Sequence, residues 1–510
     1  MAHLPVSFSS IAIAVGVFIA VYIFNAQRKG RLPPGPRRAP IIGNAHQLPT
    51  ARAWLGLAKM SKLYGDLMHV DVFGQSMLVV SSRKVAIDLL DKRSANYSDR
   101  PIIPMIELTG MREAFSLQPY GDTWRNQRRM VAQHFSTSYV AKYHALQERE
   151  SRILVKKILA KPETIEDEVK LRTAIIIVRS TYGYYPQDLE DPMIAIPVQG
   201  MKNFNKASQP AEFLINILPS MKHLPRWLPG TSFFKAADEF EALYRKVVDD
   251  PYNWCRENLE TGKALLPNIC HDIWQKNPGN PSVYDHSQMR SAASSVLGAG
   301  LDSGMSSALT FFMNMILHPE VQRKAQLELD AVVGTDRLPQ IIDRPNLPYV
   351  RSIVAETFRF MPAIPLALPH AVTEDDIYQG YHIPKGAWIL PNVWQMLHDP
   401  AEYEDPMNFN PERFNNDDEA MEYAKDPAFG FGRRVCPGRL FAENSLFAIV
   451  STTLATCKIL PGLDAEGKEV LPSGQYTNGT IIFPEHFNIR LTPRSSAAAE
   501  LLAEVIEIVE

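Results

Sequence analysis

The sequence predicts a mainly α chain with small β-sheets, on three observations. Residues 151–287 are helical in pattern for most of their length. Gln288 to Leu317 is free of proline and rich in Ala, Ser, Leu and Met, so it reads as one long buried helix. Strand-like stretches are short: Asp66 to Val80 alternates toward strand, and Ile377 to Leu390 reads as a hairpin turning at Gly380 and Lys385-Gly386. With 510 residues, 45% of them hydrophobic, the chain can bury a large core. Length alone predicts about two to four domains. A formal charge of -3, with no basic run in the middle, argues against nucleic-acid binding. Cys255, Cys270, Cys436 and Cys457 form no CxxC pair and are too few for a disulfide scaffold, which fits a reducing compartment.

Taken in order, Pro5 to Phe24 carries no charge and is long enough, as a helix, to cross a bilayer. Arg28, Lys29 and Arg31 follow it, so the positive-inside rule leaves the main body in the cytosol. A cleaved signal peptide is the rival reading, disfavoured by the missing basic n-region and cleavage site. Leu32-Pro-Pro-Gly-Pro36 is stiff and reads as a linker. Val85 to Leu90 looks helical, and Tyr97-Ser-Asp-Arg-Pro101 opens a loop running to about Tyr120. Trp124 and Arg128 share a helix face, by themselves a solvated basic face with one core tryptophan. Arg125 and Arg129 face outward on the same helix, a docking patch for an acidic electron donor.

Farther on, Pro210, Pro219, Pro225, Pro229 and Pro251 are expected to break the helical region into pieces. The long helix holds Gly298, Gly300 and Gly304. Each costs about 1 kcal/mol against alanine, and close helix packing is one reason to keep it. Glu356 and Arg359 also share a helix face, a spacing usual for a surface ion pair. Met361 to His370 is too proline-broken for a helix. Gly474 to Thr480 looks like a hairpin tip, and Ala497 to Glu510 is a short acidic amphipathic extension. The sequons at Asn96 and Asn478 stay unmodified on a cytosolic body.

Phe429-Gly-Phe-Gly-Arg-Arg-Val-Cys-Pro-Gly438 is the most specific stretch. It sets Cys436 between glycine turns, just before an apolar helical run from Leu440 to Val450. A thiolate at a helix N-terminus is stabilised by free N–H groups and the dipole. A lone cysteine is usually an inert core residue. The full pattern Phe-x-x-Gly-x-Arg-x-Cys-x-Gly, however, resembles the haem-binding loop of the cytochromes P450, most closely the fungal microsomal members. The resemblance extends from about Pro33 to Arg494.

It implies one P450 fold, with haem b between the long central helix and the cysteine-loop helix, preceded by a transmembrane helix. It divides the chain into an anchor (1–27), a basic, proline-rich hinge (28–36), a catalytic domain (37–494) and a tail (495–510). Cys436 is implied as the proximal iron ligand, with Phe429 covering the sulfur and Gly438 allowing close approach. Arg100, Trp124, Arg128, His370 and Arg434 are implied as contacts of the haem propionates. His370 as a second iron ligand would block oxygen. Glu356, Arg359 and Arg413 are implied as a structural triad. Ala299-Gly-Leu-Asp-Ser303 resembles the oxygen-binding groove, where a locally loosened helix leaves room beside an acid–alcohol pair. There Gly300, Asp302 and Ser303 are the candidate catalytic residues. Serine replaces the commoner threonine, which makes proton delivery looser. Phe204, Phe213, Leu214 and Ile217, then Ala363, Ile364, Leu366 and Ala367, are candidates to contact substrate.

The expected activity is a haem-thiolate monooxygenase that inserts one atom of dioxygen into a lipophilic substrate, in secondary metabolism or xenobiotic oxidation. Electrons come from NADPH indirectly, because the chain carries no Gly-x-Gly-x-x-Gly fingerprint. The expected partners are an NADPH–cytochrome P450 reductase, cytochrome b5 and the endoplasmic reticulum membrane. The alternatives are a haem-thiolate isomerase or dehydratase that uses no dioxygen, and a haem-binding protein without turnover.

Overall fold

Apolar residues recurring on one face turn most of the chain into helices, and the turns between them gather the strands at the edges. The computed structural model describes residues 30–209, 212–275 and 283–506. The expected membrane span, Pro5 to Phe24, lies outside the described residues. Among the described residues no helix is long and apolar enough to cross a membrane.

The helices that build the site are α1 (Asp122–Ala132), α2 (His144–Ala160), α3 (Ile165–Tyr182), α4 (Pro192–Ser208) and α5 (Phe233–Asn258). After them come α6 (Val283–Leu317), α7 (Pro348–Phe360), α8 (Arg439–Thr456) and the terminal α9 (Ser496–Ala503). The long helix therefore starts before Gln288 and takes in all of the predicted run. It is α-helical without interruption through Ala299–Ser303, so the loosened turn implied by the resemblance is not seen. Its glycines serve packing. A Cβ on Gly300 would come within 2.5 Å of Ile177 Cδ1, and one on Gly304 within 2.8 Å of Thr173 Cγ2. Both neighbours lie on α3, so small residues let the two helices approach.

Three departures from the sequence reading have physical causes. Pro251 does not break its helix: α5 continues to Asn258, and Pro251 is buried among the residues that hold it against its neighbours. The loop from Tyr97 to Tyr120 contains a short helix, Pro104–Leu108, because Pro104 fits the first turn of a helix. The Leu32–Pro36 segment is no free linker. Pro34 O accepts a hydrogen bond from His69 N at 2.8 Å, and a Cβ on Gly35 would overlap the His69 carbonyl oxygen at 1.9 Å.

Among the described residues the strands form three small sheets. In the first, β1 (Leu67–Val72) and β2 (Gln75–Val80) make an antiparallel hairpin around Phe73-Gly74. The predicted hairpin of Ile377–Leu390 divides. Its start forms β4 (Asp376–Tyr378) with β5 (Tyr381–Ile383), while β6 (Trp388–Pro391) joins the first sheet parallel to β2. The short β3 (His370–Ala371) closes that sheet antiparallel to β6. A third sheet holds β7 (Cys457–Leu463) between β8 (Glu469–Val470) and β9 (Ile489–Pro493).

The main core lies where α2, the second half of α6, α7 and α8 meet, around Leu154, Phe311, Phe312, Ile353, Phe447 and Val450. Each such side chain contributes about 1.5–3 kcal/mol on burial. A second cluster joins α3 to the first half of α6 through Ile175, Ile177, Leu297 and Leu301. The tail is part of the body: Ala498 and Leu502 of α9 are buried, and Lys156 Nζ donates to Val505 O at 2.7 Å.

Candidate active site

Between α6 and α8 lies an internal cavity of about 400 Å³, and its wall is assembled from distant parts of the sequence. Cys436 enters it from the loop before α8. The loop can fold this way because Gly432 takes φ +54°, where a Cβ would sit 2.1 Å from Leu90 O. Phe429 O then accepts from Cys436 N at 2.7 Å, which turns the side chain inward. The sulfur opens onto the cavity while protein surrounds it on its other sides. Burial pushes the Cys436 thiol above its ordinary value, whereas the Gly438 N–H, Arg128 and Arg439 pull it back toward thiolate. Phe429 flanks the loop with its ring against Phe358, centroids 4.9 Å apart.

Opposite charges are scarce at the cationic end. Arg100, Trp124, Arg128, His370 and Arg434 all line the cavity. Burial and Arg434 hold the Arg100 guanidinium well below its usual range, and burial lowers Arg434 itself to about 10 despite nearby Asp99. Backbone carbonyls share the load: Arg100 Nη1 donates to Leu368 O and Pro369 O at 2.6 and 2.7 Å, and Arg434 Nε to Ser98 O at 2.8 Å. The Arg128 guanidinium makes no hydrogen bond or ion pair with any described residue, and burial lowers it too. Trp124 is buried with its Nε1–H unpartnered, and the Arg434 guanidinium lies 4.4 Å over its ring. His370 donates from Nδ1 to Tyr97 O at 2.7 Å, and burial with Arg100 keeps it neutral. A carbonyl lowers the cost of burying a guanidinium but does not neutralise it. One buried and two part-buried guanidinium groups, an orphaned indole N–H and a sulfur facing the same space fit a ligand with two carboxylates and a thiophilic metal, as iron protoporphyrin is.

The acid–alcohol pair is split by the helix. Ser303 lines the cavity, with Gly300 on the same wall, and its Oγ donates to Ala299 O at 2.7 Å. Asp302 does not line the cavity. Burial raises its carboxyl, while Lys170 of α3 and Lys202 of α4 act in the other direction. Glu356 and Arg359 are not a surface pair: both side chains are 0% exposed, with Arg359 Nε on Glu356 Oε2 at 2.7 Å. Arg413 Nε reaches Glu356 Oε1 at 3.1 Å, and the two arginines also hold the Leu397, Pro406, Glu404 and Asn408 carbonyls of the segment before the cysteine loop.

The apolar wall follows the expectation in part. Phe204, Ala363, Ile364 and Ala367 line the cavity, but Leu366 packs into the core, Phe213 meets Phe240 edge to face, and Leu214 is exposed. Thr480 and Ile481 reach the cavity from the predicted hairpin tip. Sequence reasoning missed Ser294, Ser295 and Ser307 on α6, and Thr173 on α3. The recurrence of serine along a buried helix was the available signal.

The cytochrome P450 family model matches residues 33–474. The chain is 43% identical to cytochrome P450 monooxygenase 105 of Postia placenta, over 97% of this chain and 96% of that protein. It is 38% identical to cytochrome P450 monooxygenase claR of Ampulloclitocybe clavipes, over 96% and 92%. With cytochrome P450 monooxygenase COX1 of Coprinopsis cinerea the identity is 35%, over 95% and 97%. Matches of that length span the α6 wall, the buried Glu356 network and the cysteine loop together, and the chain therefore belongs to the cytochrome P450 family as a monooxygenase of the fungal type.

Proposed function

We propose that this monooxygenase binds haem b through Cys436 and oxidises a lipophilic organic substrate with electrons relayed from NADPH by a separate reductase. The observation that carries the reading is the Cys436 sulfur, which opens onto the cavity beneath α6 at the start of α8. When bound, haem supplies the activation of dioxygen and the transfer of one oxygen atom. The protein's share is to hold, orient and keep dry. The Gly438 N–H and the Arg128 charge favour the thiolate, and Phe429 keeps water from it. Arg100, Arg128, Arg434 and Trp124 would receive the propionates, relieving the crowding of positive charge, and His370, whose one N–H is given to Tyr97 O, would join them only as the imidazolium.

Proton supply is assigned to α6. Ser303 carries the hydroxyl on the cavity side, and a rotation about χ1 frees it from Ala299 O. Asp302, its carboxyl raised by burial, lies on the side facing Lys170 and Lys202 and relays protons from solvent toward the cavity. Glu356, Arg359 and Arg413 keep the segment before the ligand loop in place. The Pro5–Phe24 segment anchors the chain to the endoplasmic reticulum, with the body on the cytosolic side.

The test is turnover of a panel of lipophilic compounds by the full chain with an NADPH-dependent reductase under isotopically labelled dioxygen. Mass spectrometry should show products with one labelled oxygen. Products formed without dioxygen uptake would instead favour an isomerase or dehydratase. No product with any compound, despite intact haem, would favour a haem-binding protein without turnover.

A further inference from the structure

Thr310 and Asn314 stand one turn apart in the second half of α6, both fully buried. Asn314 Nδ2 donates to Thr310 O at 2.8 Å, which leaves the Asn314 carbonyl oxygen and the Thr310 hydroxyl to find partners. Neither makes a hydrogen bond with any described residue. A threonine within a helix can turn its hydroxyl back onto the preceding turn, as Thr453 and Thr456 of α8 do at 2.7 Å each. Thr310 does not. The third member is Tyr476, from the segment after β8, which is 4% exposed with its hydroxyl likewise unbonded. The three face one another: burial pushes the Tyr476 hydroxyl up, and Thr310 and Asn314 beside it act in the other direction. They are near enough to act on one another without being aligned to bond.

The surroundings are the apolar main core, including Phe312, Ile482 and Phe487. Three unpaired polar atoms at one place in such a core are unfavourable, and a shared partner would relieve all of them. Its chemistry follows from theirs. Asn314 Oδ1 only accepts, whereas each hydroxyl has a proton to give. A metal cation would satisfy the amide oxygen but leave both hydroxyl protons unpaired. No charged side chain among the described residues acts on the Tyr476 hydroxyl, so nothing there would balance an ion. Water both donates and accepts, and about three hydrogen bonds is the usual number for a buried one.

We propose that Thr310, Asn314 and Tyr476 form a buried site for one water molecule, and that this water fastens the segment around Tyr476 to α6. It donates to Asn314 Oδ1 and accepts from the two hydroxyls. The segment is a narrow turn: Tyr476 pairs with Pro484, and Thr477 N donates to Phe483 O at 2.8 Å. Its tip supplies Thr480 and Ile481 to the cavity wall. Ser306 Oγ holds the returning side of the turn through Ile482 O at 2.6 Å. The water is the matching tie on the outgoing side, so it positions part of the cavity wall whatever the cavity binds.

The experiment uses the full-length, haem-loaded protein and the variants Tyr476→Phe, Thr310→Val and the two combined, which remove hydroxyls with little change of shape. Urea midpoints give stability, and hydrogen–deuterium exchange read by mass spectrometry follows residues 474–487. Each single variant should raise the unfolding equilibrium constant about three- to tenfold, because one hydrogen bond to the water is lost. The combined variant should cost less than the sum, since both hydroxyls serve the same molecule. Exchange in residues 474–487 should quicken several-fold in all three. If the three groups instead met in a dry pocket, each single variant would remove an unpaired buried hydroxyl and raise the midpoint, which would overturn the site. Strictly additive losses with unchanged exchange would overturn it as well, by showing that the hydroxyls share nothing.

Discussion

At the scale of single residues, Ser303 and His398 carry the sharpest consequences. Ser303 carries a hydroxyl on the α6 wall of the cavity, already bonded to Ala299 O and lacking the methyl group that would restrain it. Replacing it with alanine removes the last donor in the proposed proton path. Peroxide released per NADPH consumed should rise several-fold, read by a peroxidase-coupled assay; unchanged coupling would remove Ser303 from that path. His398 reports on stability. It stacks on Trp394 at 4.2 Å and is 5% exposed, and burial with Arg359 lowers its pKa to about 3. Unfolded, the ring titrates near its ordinary value, so the unfolded state gains a proton as pH falls below about 6.5 and the folded state does not. The stabilising contribution is complete above that pH and shrinks down to about pH 3. Between about pH 7 and pH 5 the native chain should lose about 2 kcal/mol more than His398→Gln, measured by urea midpoints. Parallel losses would show that His398 is not buried in its neutral form.

At the scale of elements, two contacts hold the cavity's frame, one ionic and one steric. Glu356→Ala leaves Arg359 without its partner in a site that is 0% exposed, a loss of about 3–5 kcal/mol. The segment before the cysteine loop should loosen, and the variant should be purified with little haem; full haem content at native stability would contradict that role. Gly300 and Ile177 set the spacing of α3 and α6. Gly300→Ala should cost about 1–3 kcal/mol through overpacking, and Ile177→Ala made in the same chain should recover part of it. A double-mutant cycle of denaturation midpoints checks this, since strictly additive losses would mean the two side chains do not meet. Neither contact could be weighed from sequence. The Glu356–Arg359 spacing is the same for a surface pair as for a buried one, and only Arg413 and the surrounding carbonyls decide which it is. Likewise a glycine in a helix does not reveal which neighbour approaches it.

Across the whole molecule, the parts legible in advance are those written locally. The ten residues around Cys436, the proline-free run of α6 and the β1–β2 hairpin each carry their own signal. Burial depends on partners far away in the chain, which is why Leu366 and Leu214 were misplaced and Ser294 was not singled out. Helix packing also overrode a local rule at Pro251, where α5 runs on through the proline. What unites the molecule is a cavity between α6 and α8 with one cysteine in its wall and cations at one end. The most direct measurement is the absorption spectrum of the reduced, carbon-monoxide-treated protein, native and Cys436→Ala. The native protein should give the red-shifted band of a sulfur-ligated haem, and the variant should not. Absence of that band from the native protein, or its persistence in the variant, would contradict the account.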